Sequence, residues 1–175
     1  MTAALRPATP ADAEALARLG ERTFVETFVD GGFRMNYPPD DLAKFLAETY
    51  STEAYASFLN DPEVGAWVAE DASGLIAYAT AGPNHLPHPE ARPQDGELYR
   101  LYVSGQAQGL GLGRRLLEMA LEWLKEKHPG PLWIGVWSGN LKAQKLYAHY
   151  GFQKAGEYEF PVGRTRDREF ILRRG

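Results

Sequence analysis

The chain has 175 residues and no cysteine. Disulfides, thiolate zinc sites and cysteine nucleophiles are therefore excluded, which fits a cytoplasmic protein. Long apolar runs are missing as well. None approaches the roughly 18 residues needed to span a bilayer, so no membrane partner is expected. Arg6, Pro7 and Asp12 fall within the first dozen residues, a pattern unlike a secretory leader. There is no internal repeat and no low-complexity segment. His88 and His149 form no metal-ligand arrangement, and no metal is expected.

A large charge excess is absent too, since the formal net charge is −4. The distribution is uneven. Residues 1–100 hold 7 Lys+Arg and 16 Asp+Glu, whereas residues 101–175 hold 12 and 7. A basic second half suits an anionic cofactor, and an acidic first half suits a cationic partner. Glu26, Asp40, Asp41 and Glu48 are candidates for attracting that partner. A nucleic-acid binder is more often basic overall, so no nucleic acid is expected.

What the chain does have is ordinary globular composition, 44% hydrophobic and 24% charged. Its length predicts one domain over residues 1–175. A short strand is expected at Ala3–Arg6. A helix should start at Pro10, with Thr9 as N-cap, and run to about Phe28 before Asp30-Gly-Gly breaks it. Helices at Pro38–Tyr50 and Thr52–Leu59 precede a hairpin, Val64–Glu70 and Leu75–Ala81, turned at Asp71–Gly74. Residues 82–96 read as a proline-rich loop. A strand at Leu98–Val103 and an amphipathic helix at Gly113–Lys127 follow. Leu132–Trp137 is a strand, residues 140–150 a short helix closed by Gly151, and Phe152–Pro161 pairs with Arg168–Leu172. The order is mixed α/β on one sheet.

The most informative segment is Glu97 to Gly113, a strand running into a glycine-rich turn that opens a helix. That geometry aims free backbone N–H groups and a helix dipole at one point, which suits a pyrophosphate. The dinucleotide fingerprint G-x-G-x-x-G fits Gly109 and Gly111 but meets Arg114 at the third glycine, so a nucleotide-binding oxidoreductase is disfavoured. The P-loop spacing fails from Gly105 and from Gly109. What remains is Gln108-Gly109-Leu110-Gly111-Leu112-Gly113.

That pattern resembles the acyl-CoA loop of the GNAT superfamily of N-acetyltransferases. The stretch Asn140-Leu-Lys-Ala143-Gln-Lys-Leu-Tyr147, followed by Gly151-Phe152, is similar to the family's second signature. Asn140, Ala143 and Tyr147 share one helix face. The resemblance implies a single twisted mixed sheet of about seven strands with helices on both faces, and acetyl-CoA as cosubstrate. It implies pyrophosphate binding by Gly109 to Arg114, with Gln108 in the motif. Leu101, Tyr102 and Val103 would meet the pantetheine arm, with the Val103 N–H at the thioester carbonyl. Asn140 would bond that arm, and Tyr147 would protonate the departing thiolate.

An attacking amine is mostly protonated at pH 7 and needs a base. Glu97, directly or through a water, leads, and His85 is the alternative. Thr23–Phe28, Glu97–Val103, Gly135–Trp137 and the ending Phe160–Gly163 with Asp167–Leu172 look like the PaiA-type polyamine N-acetyltransferases. Arg164 departs from that group, where an acidic residue often follows the glycine. The expected acceptor is a small-molecule primary amine, with polyamines leading. A protein N-terminus or lysine, an amino acid or an aminoglycoside stays open, as does a CoA-binding regulatory module without turnover. The aromatic content of 12% leaves room for a homodimer.

Overall fold

The computed structural model describes residues 2–175. Seven strands form one mixed sheet: β1 (Ala4–Pro7), β2 (Gly65–Asp71), β3 (Gly74–Pro83), β4 (Gly96–Val103), β5 (Leu132–Trp137), β6 (Gln153–Val162) and β7 (Thr165–Arg174), in the spatial order β1-β2-β3-β4-β5-β7-β6. Every neighbouring pair is antiparallel except β4 and β5. The parallel pair is joined by a helix, as a parallel crossover requires.

That crossover is α4 (Leu112–Lys127). Leu112, Leu116, Ala120 and Leu124 recur every four residues, and Leu117 and Leu121 lie beside them. All six are buried against Trp67, Ala69, Ala77, Ala79, Leu98 and Ile134 of the sheet. Burying each leucine contributes about 1.5–3 kcal/mol. Lys125 and Lys127 complement the negative end of the helix. The short α5 (Leu141–His149) packs into the same layer through Leu146 and Tyr147. Asn140 starts it by accepting the Ala143 N–H at 3.1 Å.

The other face carries α1 (Ala13–Phe24), α2 (Pro39–Thr49) and α3 (Thr52–Leu59). Their aromatic side chains, Phe24 and Tyr55 among them, cluster with Val68, Tyr78 and Val162 of the sheet. The first helix departs from expectation at both ends. Pro10–Asp12 is a 3-10 turn, in which the Thr9 N–H donates to Asp12 Oδ2 at 2.7 Å. Beyond Phe24 the helix does not stop but widens into a π-helix, Val25–Asp30. The π-turn keeps Phe28 buried while Glu26 stays exposed. π-Turns of this kind often mark functional positions.

Two irregularities position the site. The register of β3 on β4 skips at Thr80 and Ala81, which pair Arg100 and Leu98 and leave Tyr99 as the extra residue of a bulge. The pairing of β4 with β5 ends at Leu98 and Ile134. Beyond it β5 stays paired to β7 through Trp137, and β4 stays paired to β3 through Val103. The sheet therefore splays open between Tyr99–Val103 and Gly135–Trp137.

Candidate active site

One wall of the splay is main chain. The Ser104 N–H donates to Ile76 O at 2.9 Å across β3. Strand alternation then turns the backbone groups of Leu101 and Val103 the other way, into the splay. The Gln108 side chain reaches over the end of the strand, its Nε2 lying 3.5 Å from Val103 O. After the 3-10 turn Gly105–Ala107 the chain passes through Gly109 (φ 84°) and Gly111 (φ 73°), both left-handed, and Gly111 caps α4. The N–H groups of Gly109, Leu110, Gly111, Leu112, Gly113 and Arg114 have no acceptor among the described residues. They and the helix dipole form an anion cradle.

A Cβ at Gly109 or Gly111 would meet nothing within 4 Å, so positive φ is what demands glycine there. Gly113 differs. Its φ is helical, and a Cβ would sit at ordinary contact, 3.5 Å from Val103 Cγ2. Leu112 is buried and contributes only its N–H, whereas Leu110, Arg114 and Arg115 flank the cradle on its solvent side.

The splay holds a cavity of about 90 Å³, lined by Leu101, Tyr102, Trp137, Asn140, Ala143 and Tyr147 among others. Asn140 uses its oxygen to cap α5, which leaves its amide N–H groups for the cavity. Tyr147 is buried, its ring edge-on to Phe152, and its hydroxyl has no partner among the described residues. Burial raises its pKa, so the phenol stays protonated at neutral pH.

A larger cavity of about 400 Å³ adjoins the first on the α1–α3 side. Phe28, Tyr99, Arg100, Tyr102, Gly135 and Glu169 line both. Its walls are aromatic, and three carboxyl groups face it. Glu97 is buried and accepts the His85 N–H at 2.7 Å. Burial pushes its pKa up to about 7, against the pull of that N–H. The exposed His85 ring stands 4.0 Å from the same carboxylate and links it to solvent. Asp167 accepts the Tyr37 hydroxyl, and burial raises its pKa although that bond opposes the rise. Glu169 is raised to about 7 by burial and then by the neighbouring Asp167. Arg100 donates to the Tyr55 hydroxyl at 3.2 Å and lies over the Tyr50 ring.

The predicted donor-side residues, Leu101 to Val103, Gln108 to Arg114, Asn140 and Tyr147, thus converge on one splay and its mouth. Glu97 stands apart from Tyr147, in the larger cavity, and on a central strand. The acids expected to draw in a cation are elsewhere. None of Glu26, Asp40, Asp41 and Glu48 lines the larger cavity. Glu26 instead accepts the Gly105 N–H at 3.1 Å, and Asp41 pairs with Arg164. The cavity takes Asp167 and Glu169 from the basic half of the chain, because β7 is inserted beside β5. Their i, i+2 spacing on a strand was the available signal. Among the described residues no cluster of three or more histidines or acids could hold a metal ion, and no helix is long and apolar enough to cross a membrane.

Splayed sheet, anion cradle and flanking helices together define an acyl-CoA-dependent transferase fold. The family model described as the acetyltransferase (GNAT) family matches residues 33–152. An uncharacterized N-acetyltransferase of Lactobacillus delbrueckii subsp. lactis is 30% identical over 149 residues, spanning 85% of this chain and 86% of the relative. Among solved structures, the PaiA N-acetyltransferase of Thermoplasma acidophilum in complex with coenzyme A superposes with a TM-score of 0.75 at 19% identity, covering 99% of each chain. The ribosomal-protein-alanine N-acetyltransferase of Brucella melitensis gives 0.66 at 25% identity, covering 98% of each. The chain belongs to the GNAT family and is an acetyl-CoA-dependent N-acetyltransferase.

Proposed function

We propose that residues 1–175 act as one unit that acetylates a cationic primary amine, with polyamines as the leading acceptors, by direct attack in a ternary complex. The observation that carries this reading is the adjoining pair of cavities. One is walled by free backbone groups and Tyr147, and the other by three carboxyl groups and aromatic rings.

Bound acetyl-CoA supplies an activated acetyl group on sulfur. The N–H groups of Gly109 to Arg114 hold its pyrophosphate, and the Arg114 guanidinium adds charge. Gln108 braces the loop at the end of β4. Leu101, Tyr102 and Val103 line the path of the pantetheine arm, and the Asn140 amide bonds it. The Val103 N–H stabilises charge on the carbonyl oxygen. Tyr147 donates its phenolic proton to the departing sulfur. Its raised pKa is no obstacle, since burial destabilises a thiolate in the same site for the same reason.

On the acceptor side, carboxylates and aromatic faces favour ammonium groups. Glu97 receives the proton that the amine must lose, through water, and His85 passes it to solvent. A carboxylate near pKa 7 is a far better proton acceptor for an amine than one near 4.5.

The test is thiol release from acetyl-CoA with a panel of spermidine, 1,4-diaminobutane, an alanyl peptide and a free amino acid. Spermidine or the diamine should be the best acceptor. Preference for the peptide or amino acid would overturn the polyamine reading. Acetyl-CoA binding with no turnover of any amine would leave a CoA-binding module.

A further inference from the structure

Glu169 has no part in proton transfer in the reading above, and its surroundings are unlike those of the other two acids. Glu97 spends an oxygen on the His85 N–H, and Asp167 one on the Tyr37 hydroxyl. Glu169 has neither a hydrogen-bond donor nor a cationic partner among the described residues. It is also the one acid of the three that lines both cavities. On β7 it lies opposite Trp137, at the open end of the splay, and opposite Tyr158 of β6.

We propose that Glu169 is a second catalytic carboxylate, the one that meets the acceptor's ammonium group at the junction of the two cavities and takes its proton. This rests on the acetyltransferase reading and adds a first stage to the path of that proton. The nitrogen loses one proton to a Glu169 oxygen, and its freed lone pair attacks the acetyl carbonyl. The C–S bond breaks as Tyr147 protonates the sulfur, the second proton that the nitrogen sheds as the amide forms restores the Tyr147 phenol, and the proton on Glu169 leaves by way of Glu97 and His85.

Gly135 brings Tyr158 in beside both acids. A Cβ there would stand 2.8 Å from the Tyr158 hydroxyl, so the missing side chain lets that hydroxyl lie over β5. Tyr158 feels the charge of both Glu169 and Glu97, so its hydroxyl stands within electrostatic reach of each. The other groups in electrostatic reach of Glu169 are Asp167 on its own strand, Tyr102 on β4 and Tyr37 ahead of α2, and Arg100 of β4 lines the same two cavities. An alkylammonium of pKa about 10.4 transfers its proton to a group near 7 against about three powers of ten, rather than about six for an ordinary glutamate.

The experiment compares wild type with Glu169→Gln, Glu169→Asp and Glu97→Gln, using spermidine and 1,4-diaminobutane between pH 6 and 10. Glu169→Gln should lower kcat about 100-fold at pH 7 with KM changed less than about threefold. The deficit should shrink about tenfold per pH unit as free amine replaces ammonium. Glu169→Asp should retain a measurable part of the rate. A second readout does not need turnover. Amine binding to the CoA complex, followed by calorimetry in two buffers of different ionisation enthalpy at pH 7, should release part of a proton from wild type, because the arriving ammonium group displaces the proton that Glu169 carries at that pH, and measurably less from Glu169→Gln. A Glu169→Gln variant with unchanged kcat and unchanged proton release overturns the proposal, and so does a rise in KM alone, which would make Glu169 a cation-binding group. Wild type without turnover of any amine would instead defeat the acetyltransferase acceptor reading itself, and this proposal with it.

Discussion

The two sides of the splay are built differently. The donor side is mostly backbone: left-handed Gly109 and Gly111, the unpaired N–H groups up to Arg114, and the turned-out edge of β4. It lies almost entirely within residues 98–114, with one outlying helix at 140–149. The acceptor side is mostly side chains, gathered from Phe24 in α1 to Glu169 in β7. A ligand whose reactive end is attached to a constant handle can be held by main chain in one contiguous stretch. An acceptor that differs from one enzyme to the next is met by side chains that can be exchanged without disturbing the loop.

That contrast can be broken at several points. The largest effect should come from Gly111→Val, which forces a β-branched residue into a left-handed backbone. Acetyl-CoA affinity should fall by about 100-fold or more in a binding titration, while the fold, read by circular dichroism, persists. Equal loss of amine binding would erase the distinction between the two sides. Tyr147→Phe should lower kcat by about 100-fold near neutral pH with acetyl-CoA affinity kept, since only proton donation is removed. An unchanged rate would show that the sulfur departs without that proton.

The acceptor side should announce itself through pH. Glu97 has its ordinary value near 4.5 in the unfolded chain and about 7 in the fold. Between those values the native state binds more protons than the unfolded state. Stability should therefore fall as pH rises from about 4.5 to 7, by about 3 kcal/mol at most from this group, while activity rises through pH 7 as the carboxylate forms. Glu97→Gln should lessen, without abolishing, the stability change in denaturant titrations across that range, since Glu169 is raised in the same way. A wild type whose stability rises from pH 5 to 7 with no contribution reversed in the variant would place Glu97 in water. The smallest effect is expected at Gly113→Ala, whose Cβ makes only ordinary contact with Val103. Acetyl-CoA affinity should change less than about twofold, and a loss like that of Gly111→Val would mean that space, not φ, governs the loop.

The same contrast explains which features are legible in the sequence. Element order is legible almost throughout, because turn residues and periodicity are local. The hairpin at Asp71–Gly74, the amphipathic α4 and the Gly151 cap (φ 88°) all fall where the residues place them. The donor side is legible for the same reason, since its glycines and the Asn140–Tyr147 helix are short-range patterns. Three features are not. The widening of α1 into a π-turn at Val25–Asp30 depends on how Phe28 packs against Tyr102 and Trp137, which are remote in sequence. The bulge at Tyr99 depends on β3. Asp167 and Glu169 become cavity residues only because β7 lies between β5 and β6. Charge counting points to the acidic first half, but of the three cavity acids only Glu97 comes from it, and the tertiary fold brings the other two from the basic half.

In the proposed mechanism the two cavities form one reaction path, from an ammonium group among carboxylates to a thioester beside Tyr147. Amine-dependent thiol release from acetyl-CoA, followed with spermidine as pH is raised from 6 to 9, tests it most directly. Release should be saturable, increase through about pH 7 and fall about 100-fold in Tyr147→Phe at neutral pH. Acetyl-CoA that binds tightly yet yields no thiol with spermidine or any other amine, at any pH in that range, would contradict it.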